Sequence, residues 1–177
     1  MTKYINFLTI TRILLAPVIL IFLVFGNYLI CTLLFFFAGI TDYLDGFLAR
    51  KYNAESQLGE ILDPIADKVI VVFVLFGLSA ELDSYLIAFL SSLIISREIG
   101  VAAIRDFASR NNLSKRVKVT FLAKTKTAVQ LLTLGLYFIA LTFDLNLLIV
   151  ICDIFLIAAT LITLYTGYQY ALNLVKR

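Results

Sequence analysis

Four aspartates fall in one short stretch, DYLDGFLARKYNAESQLGEILDPIAD, that runs from Asp42 to Asp67. Asp42 and Asp45 are three residues apart, Asp63 and Asp67 four, so on helices each pair projects from a single face. Asp63-Pro64 also makes a good cap-and-first-turn pair for the second of these helices, unless that helix begins a turn earlier. A short connection between antiparallel neighbours brings the two acidic faces together. Four carboxylates within a few ångströms repel one another unless some are protonated or a cation lies between them. Carboxylates from facing helices are one way to build a two-metal site in a helical bundle. The chain has no histidine, and Cys31 and Cys152 lie in apolar runs without metal-site spacing. A metal here would be held by oxygen, which selects a hard ion such as Mg²⁺ or Mn²⁺.

The small residues around the acids point the same way. Gly46 follows Asp45 directly and Gly59 precedes the second acidic pair. A glycine inside a helix costs about 1 kcal/mol, a cost with a reason where something must approach the backbone closely. Gly46 and Ala49, one turn apart, leave a shallow floor on which a planar base can rest. Arg50 follows and offers its planar fork to a phosphate.

The elements that must position these residues are membrane spans. The chain of 177 residues is 62% hydrophobic and only 15% charged, displaced from soluble composition, and its length fits one domain over 1–177. Six segments approach the roughly 20 apolar residues that cross a bilayer: 5–25, 28–48, 61–80, 85–105, 120–142 and 147–170. The expected fold is all-α and polytopic, with six transmembrane helices and a short amphipathic N-terminal segment. The first run follows Lys3 and Arg12, as in a signal peptide, but lacks a small-x-small cleavage site and is read as a retained span. Turns at Gly26-Asn27, 80–84 and 143–146 hold no Lys or Arg, whereas all 15 basic residues fall near the opposite helix ends. By the positive-inside rule those ends, and both termini, are cytoplasmic. The acids gather on that same side, where anionic headgroups would repel them, so orientation does not explain them.

The pattern D-x2-D-G-x2-A-R-x8-G-x3-D-x3-D, complete and ungapped here, resembles that of the CDP-alcohol phosphotransferases. Background residue frequencies produce such a match on the order of once in 10¹⁰ starting positions. The resemblance implies transfer of a substituted phosphoryl group from a CDP-activated donor to an alcohol, with CMP leaving. It implies that Asp42, Asp45, Asp63 and Asp67 hold two metal ions against the diphosphate and that Asp67 doubles as general base. Gly46, Ala49, Arg50 and Gly59, with Asn6 and Thr9, would then hold the CDP-lipid. The lipid bilayer is a partner, since a diacyl donor keeps its tails in the membrane. A multi-pass protein of the cell membrane is expected, as a homodimer by resemblance alone and with no nucleic-acid partner.

Three further stretches bear on the acceptor. Asn6, Thr9 and Arg12 recur every three residues as a polar stripe entering the first span. In SREIGVAAIRDFA, residues 96–108, Arg97, Val101 and Arg105 lie along one side of the fourth helix. AKTKTAVQ opens the fifth helix; Lys124 and Lys126 cannot share a face, and Lys126 is favoured because Gln130 lies one turn beyond it. Arginines aimed at an acidic metal site ask for an anion between them. These stretches resemble those of bacterial family members that use CDP-diacylglycerol and glycerol 3-phosphate, which implies that Arg97, Arg105 and Lys126 hold the acceptor phosphate. Ala123 stands where that pattern has glycine. The alternatives are a cardiolipin-type synthase, with phosphatidylglycerol as acceptor, or a phosphatidylinositol phosphate synthase. An ion transporter is the reading from another class, but its carboxylates would reach the midplane instead of gathering at one end of two helices. Asp153, nearer the other side, is expected to pair with a tyrosine or threonine of a neighbouring helix.

Overall fold

The computed structural model describes residues 2–52, 57–111, 113 and 121–175, and among them every regular element is helical. The elements are α1 (Thr2–Val24), α2 (Tyr28–Tyr52), α3 (Gln57–Glu81), α4 (Tyr85–Arg110), α5 (Phe121–Thr142) and α6 (Asn146–Val175). An apolar chain in lipid must satisfy its backbone internally, and long helices do so. Five of these helices are long and apolar enough to cross a membrane by length and composition. The remaining one, α3, is as long but carries Asp63, Asp67 and Lys68 in its first half. The expected N-terminal segment is continuous with the first span, because α1 begins at Thr2.

The three turns without Lys or Arg are tight, and each has one residue in the left-handed region: Gly26 (φ 70°), Asp83 (φ 45°) and Asp144 (φ 53°). Aspartate tolerates that conformation better than most residues, which lets the last two turns close without glycine. Backbone bonds seal them, from Asn27 N–H to the Phe22 carbonyl at 2.9 Å, Ser84 to Ser79 at 3.1 Å and Leu145 to Ala140 at 2.8 Å. Nearby, Tyr28 donates to Glu81 and Tyr137 to Asp153, each at 2.5 Å. Asp153 thus has the tyrosine partner expected of it.

The packing order explains how distant residues meet. α1 lies against α2 and α3, α4 against α3 and α6, and α5 against α2 and α6, with a smaller contact to α3. At Gly77 an added Cβ would stand 2.6 Å from Leu23 Cδ2 and 2.9 Å from Leu20 Cδ1, so this glycine lets α1 close on α3. One apolar core runs through all six helices and takes in both free cysteines, Cys31 and Cys152. A smaller cluster of Val101, Ala108 and Tyr170 fastens α4 to α6.

Candidate active site

The close approach of α1 carries Thr9 and Arg12, one turn apart and both buried, between the acidic ends of α2 and α3. Arg12, with only 3% of its side chain exposed, is the hub. One terminal nitrogen, Nη1, donates to Asp42 and, at 2.9 Å, to Asp67. The other, Nη2, donates to Asp45 at 2.8 Å and lies 3.5 Å from Asp63. Thr9 Oγ1 donates to Asp63 at 2.9 Å and lies 3.4 Å from Asp45. The two acidic faces therefore do converge. Asp45 is buried, whereas Asp42, Asp63 and Asp67 each keep about half of the side chain exposed.

The sequence marks Arg12 as part of a polar stripe and as one of the 15 basic residues near one set of helix ends. Its spacing from Thr9 was the available signal, since i and i+3 share a face; its depth among the acids depends on the α1–α3 approach, which no local pattern reveals. Among the described residues no acidic side chains form a ready cage for an ion; they are gathered on the guanidinium instead. Four carboxylates against one guanidinium still leave a surplus of negative charge. The donors are carboxylate oxygens, and a side-chain cation already stands at their centre as a stand-in ion. Such a set fits hard divalent cations.

Two cavities meet at Asp67. One, of about 100 Å³, is mostly apolar and runs from Arg12, Asp42 and Asp67 past Gly39, Ile70 and Leu131. The other, of about 220 Å³, is lined by Asp67, Lys68, Glu98, Arg105, Lys126 and Gln130, among others. In the second cavity Lys126 Nζ donates to Glu98, and Arg105 donates to the Tyr170 hydroxyl at 2.8 Å while lying over its ring. The structure thus brings Lys126, Arg105 and Gln130 to one space beside the acidic cluster.

It does not bring Arg97 there. Arg97 points to α6, and the cavity takes its neighbour Glu98 instead. The 97/101/105 side of α4 packs on α6, where Val101 meets Tyr170, and of the two arginines on that face only Arg105 also lines the cavity. Sequence reasoning also passed over Glu98 and Lys68; Glu98 and Lys126 are 28 positions apart, beyond any local spacing rule. Asn6 is half-buried on α1, and Gly46 and Gly59 lie in α2 and α3 beside the acids. The side chains of Ala49, Arg50 and Lys124 lie outside the described residues, as do residues 114–120 with Lys115, Arg116 and Lys118.

Comparison with known proteins identifies the family. The family description "CDP-alcohol phosphatidyltransferase" matches residues 4–168. A Haemophilus influenzae protein named CDP-diacylglycerol–glycerol-3-phosphate 3-phosphatidyltransferase is 37% identical over 93% of this chain and 89% of its own length. Proteins of the same name from Rickettsia bellii and Blochmanniella floridana are 38% and 36% identical, again over 93% of this chain and over 91% and 86% of theirs.

Proposed function

The chain belongs to the CDP-alcohol phosphatidyltransferase family, and on that premise we propose that it transfers the phosphatidyl group of CDP-diacylglycerol to glycerol 3-phosphate, giving phosphatidylglycerophosphate and CMP. The observation that carries this reading is the position of Asp67, a single carboxylate that lines both cavities. A transfer between two substrates requires a group at their junction, and Asp67 is at one.

Asp42, Asp45, Asp63 and Asp67 would hold two Mg²⁺ or Mn²⁺ ions, which when bound supply positive charge against the diphosphate and the oxygens entering and leaving. The protein's own residues do the rest. Asp67 takes the proton from the acceptor hydroxyl as its oxygen forms the new bond to phosphorus; the bond from that phosphorus to the CMP oxygen breaks, and CMP leaves. Thr9 orients Asp63 by donating to it. Arg105 and Lys126 bind the acceptor phosphate through charge-assisted hydrogen bonds. The apolar cavity beside Asp42 gives the lipid end of the donor a path into the bilayer. Gly46, Gly59, Asn6 and Thr9, with Ala49 and Arg50, are the proposed contacts of the CDP-lipid. A single domain over 1–177, a homodimer, and a cell-membrane setting with the site and both termini cytoplasmic complete the proposal.

The test is to offer detergent-purified protein CDP-diacylglycerol with glycerol 3-phosphate, phosphatidylglycerol or inositol phosphate in parallel. CMP should form with the first alone. Turnover with phosphatidylglycerol instead would make this a cardiolipin-type enzyme, and no CMP with any acceptor would end the transferase reading.

A further inference from the structure

Arg97 is nearly as buried as Lys126, with 8% and 5% of their side chains exposed, yet only Lys126 reaches the cavity. All three guanidinium nitrogens of Arg97 are engaged. Nε donates to the Thr163 carbonyl at 2.9 Å, Nη2 to Thr166 Oγ1 at 2.8 Å and Nη1 to Glu98 Oε1 at 2.9 Å. The Thr166 hydroxyl spends its own proton on the Thr163 carbonyl at 3.0 Å, which leaves its lone pairs for Arg97. Lys126 Nζ bonds the same Glu98 oxygen from the other side. The stem of Arg97 rests on Gly167, where an added Cβ would stand 2.9 Å from Arg97 Cγ and 3.2 Å from Nε.

We propose that Arg97, Glu98 and Lys126 form a buried relay through which α6 positions the cationic wall of the acceptor cavity, with Arg97 a positioning residue and not a phosphate ligand. The proposal rests on reading that cavity as the glycerol 3-phosphate site. Lys126 is a flexible cation that shares its cavity with Asp67. Without a fixed partner, its ammonium is drawn to the Asp67 carboxylate, where it would compete for the group that must accept the hydroxyl proton. Glu98 holds the ammonium back, and it does so only if its own carboxylate is fixed. Arg97 fixes it, using a planar fork that α6 has already oriented. Glu98 also screens Arg97 and Lys126 from each other, two buried cations that would otherwise repel. A lone α4–α5 ion pair would need none of the bonds from Arg97 to α6; the relay needs all of them.

Two variants act on the relay from α6 without touching the cavity. Gly167→Ala pushes a methyl group against the Arg97 stem while improving helix propensity. Thr166→Val removes one acceptor of Arg97. Each should raise the KM for glycerol 3-phosphate by about three- to tenfold, the scale of one hydrogen bond, with the KM for CDP-diacylglycerol unchanged. Arg97→Lys, which keeps the charge but not three directed donors, should behave like Gly167→Ala. In a Lys126→Gln background, both α6 variants should add little, because the end of the relay is already gone. An unchanged acceptor KM, a parallel rise in both KM values, or the same multiplication in the Lys126→Gln background would each overturn the relay. The acceptor reading itself fails separately: wild-type protein that uses another alcohol and ignores glycerol 3-phosphate removes the premise, whereas wild-type protein that uses it while the α6 variants are silent removes the relay alone.

Discussion

The two polar regions that flank Asp67 are built as opposites. Between α1, α2 and α3 one cation, Arg12, is set among four carboxylates. Between α4, α5 and α6 one carboxylate, Glu98, is set between two cations, with Arg105 two turns along the same helix. In each region the minority charge keeps like charges from driving the site apart, and each is left with a surplus of the majority sign. An acidic surplus recruits cations and a basic one recruits an anion, which are the demands of a diphosphate clamp and a phosphate-bearing acceptor. The tight-turn end of the bundle differs from both. There Tyr28–Glu81 and Tyr137–Asp153 match one acid with one hydroxyl. At membrane depth, ionisable groups become informative about chemistry when several of one sign are gathered on a single opposite charge.

The comparison breaks most visibly at the residue both regions share. Asp67→Asn keeps the side-chain shape but cannot accept a proton, so kcat should fall by about 10² or more, while CDP-diacylglycerol still binds. Near-normal turnover would place the base elsewhere. Arg105→Ala should raise the acceptor KM about tenfold or more, from the roughly 1.5–3 kcal/mol of a hydrogen bond to a charged group, with the donor KM unmoved. Arg105→Lys should recover only part of this, because it keeps the charge without the planar fork. An equal rise in both KM values would assign Arg105 to the donor or the scaffold.

Arg12→Met tests the acidic region by removing its minority charge. Breaking a fully buried pair costs about 3–5 kcal/mol, but three of these four carboxylates are half exposed, so about 1–3 kcal/mol is expected here. The melting temperature in chelator should fall by several degrees, and Mg²⁺ should raise it more in the variant than in wild type. An equal response to Mg²⁺ would mean that the guanidinium is not holding the place of a cation. The smallest effect belongs to the tight-turn end. Asp153→Asn should cost about 1 kcal/mol of stability and leave both KM values and kcat unchanged; a kinetic defect would undo the contrast between the two ends.

What could be read from sequence follows the range of each physical signal. The acids were legible because three- and four-residue spacings fix a helix face without reference to any partner, and the structure sets Asp42, Asp45, Asp63 and Asp67 together as those spacings require. The six helices, five of them long and apolar enough to cross a membrane, and the three turns were legible from apolar length and from Gly26 and the acidic turn residues. Arg12 was not, since its depth depends on how α1 packs against α2 and α3. Arg97 and Glu98 show the limit most clearly. Successive residues on a helix point about 100° apart, so only one of them reaches the cavity, and the choice is made by the Thr163 carbonyl, the Thr166 hydroxyl and the Tyr170 ring of a helix more than 60 residues away.

The central claim is that the acidic surplus around Arg12 serves cations in phosphatidyl transfer, and removal of those cations tests it most directly. CMP release from CDP-diacylglycerol and glycerol 3-phosphate is followed in purified protein, first with excess EDTA and then after Mg²⁺ or Mn²⁺ is returned in excess of chelator. Turnover should be abolished in EDTA and restored by either ion, with one phosphatidylglycerophosphate formed for each CMP. Full activity in excess EDTA would contradict this claim, because the four carboxylates gathered on Arg12 would then be carrying out the transfer without added cations.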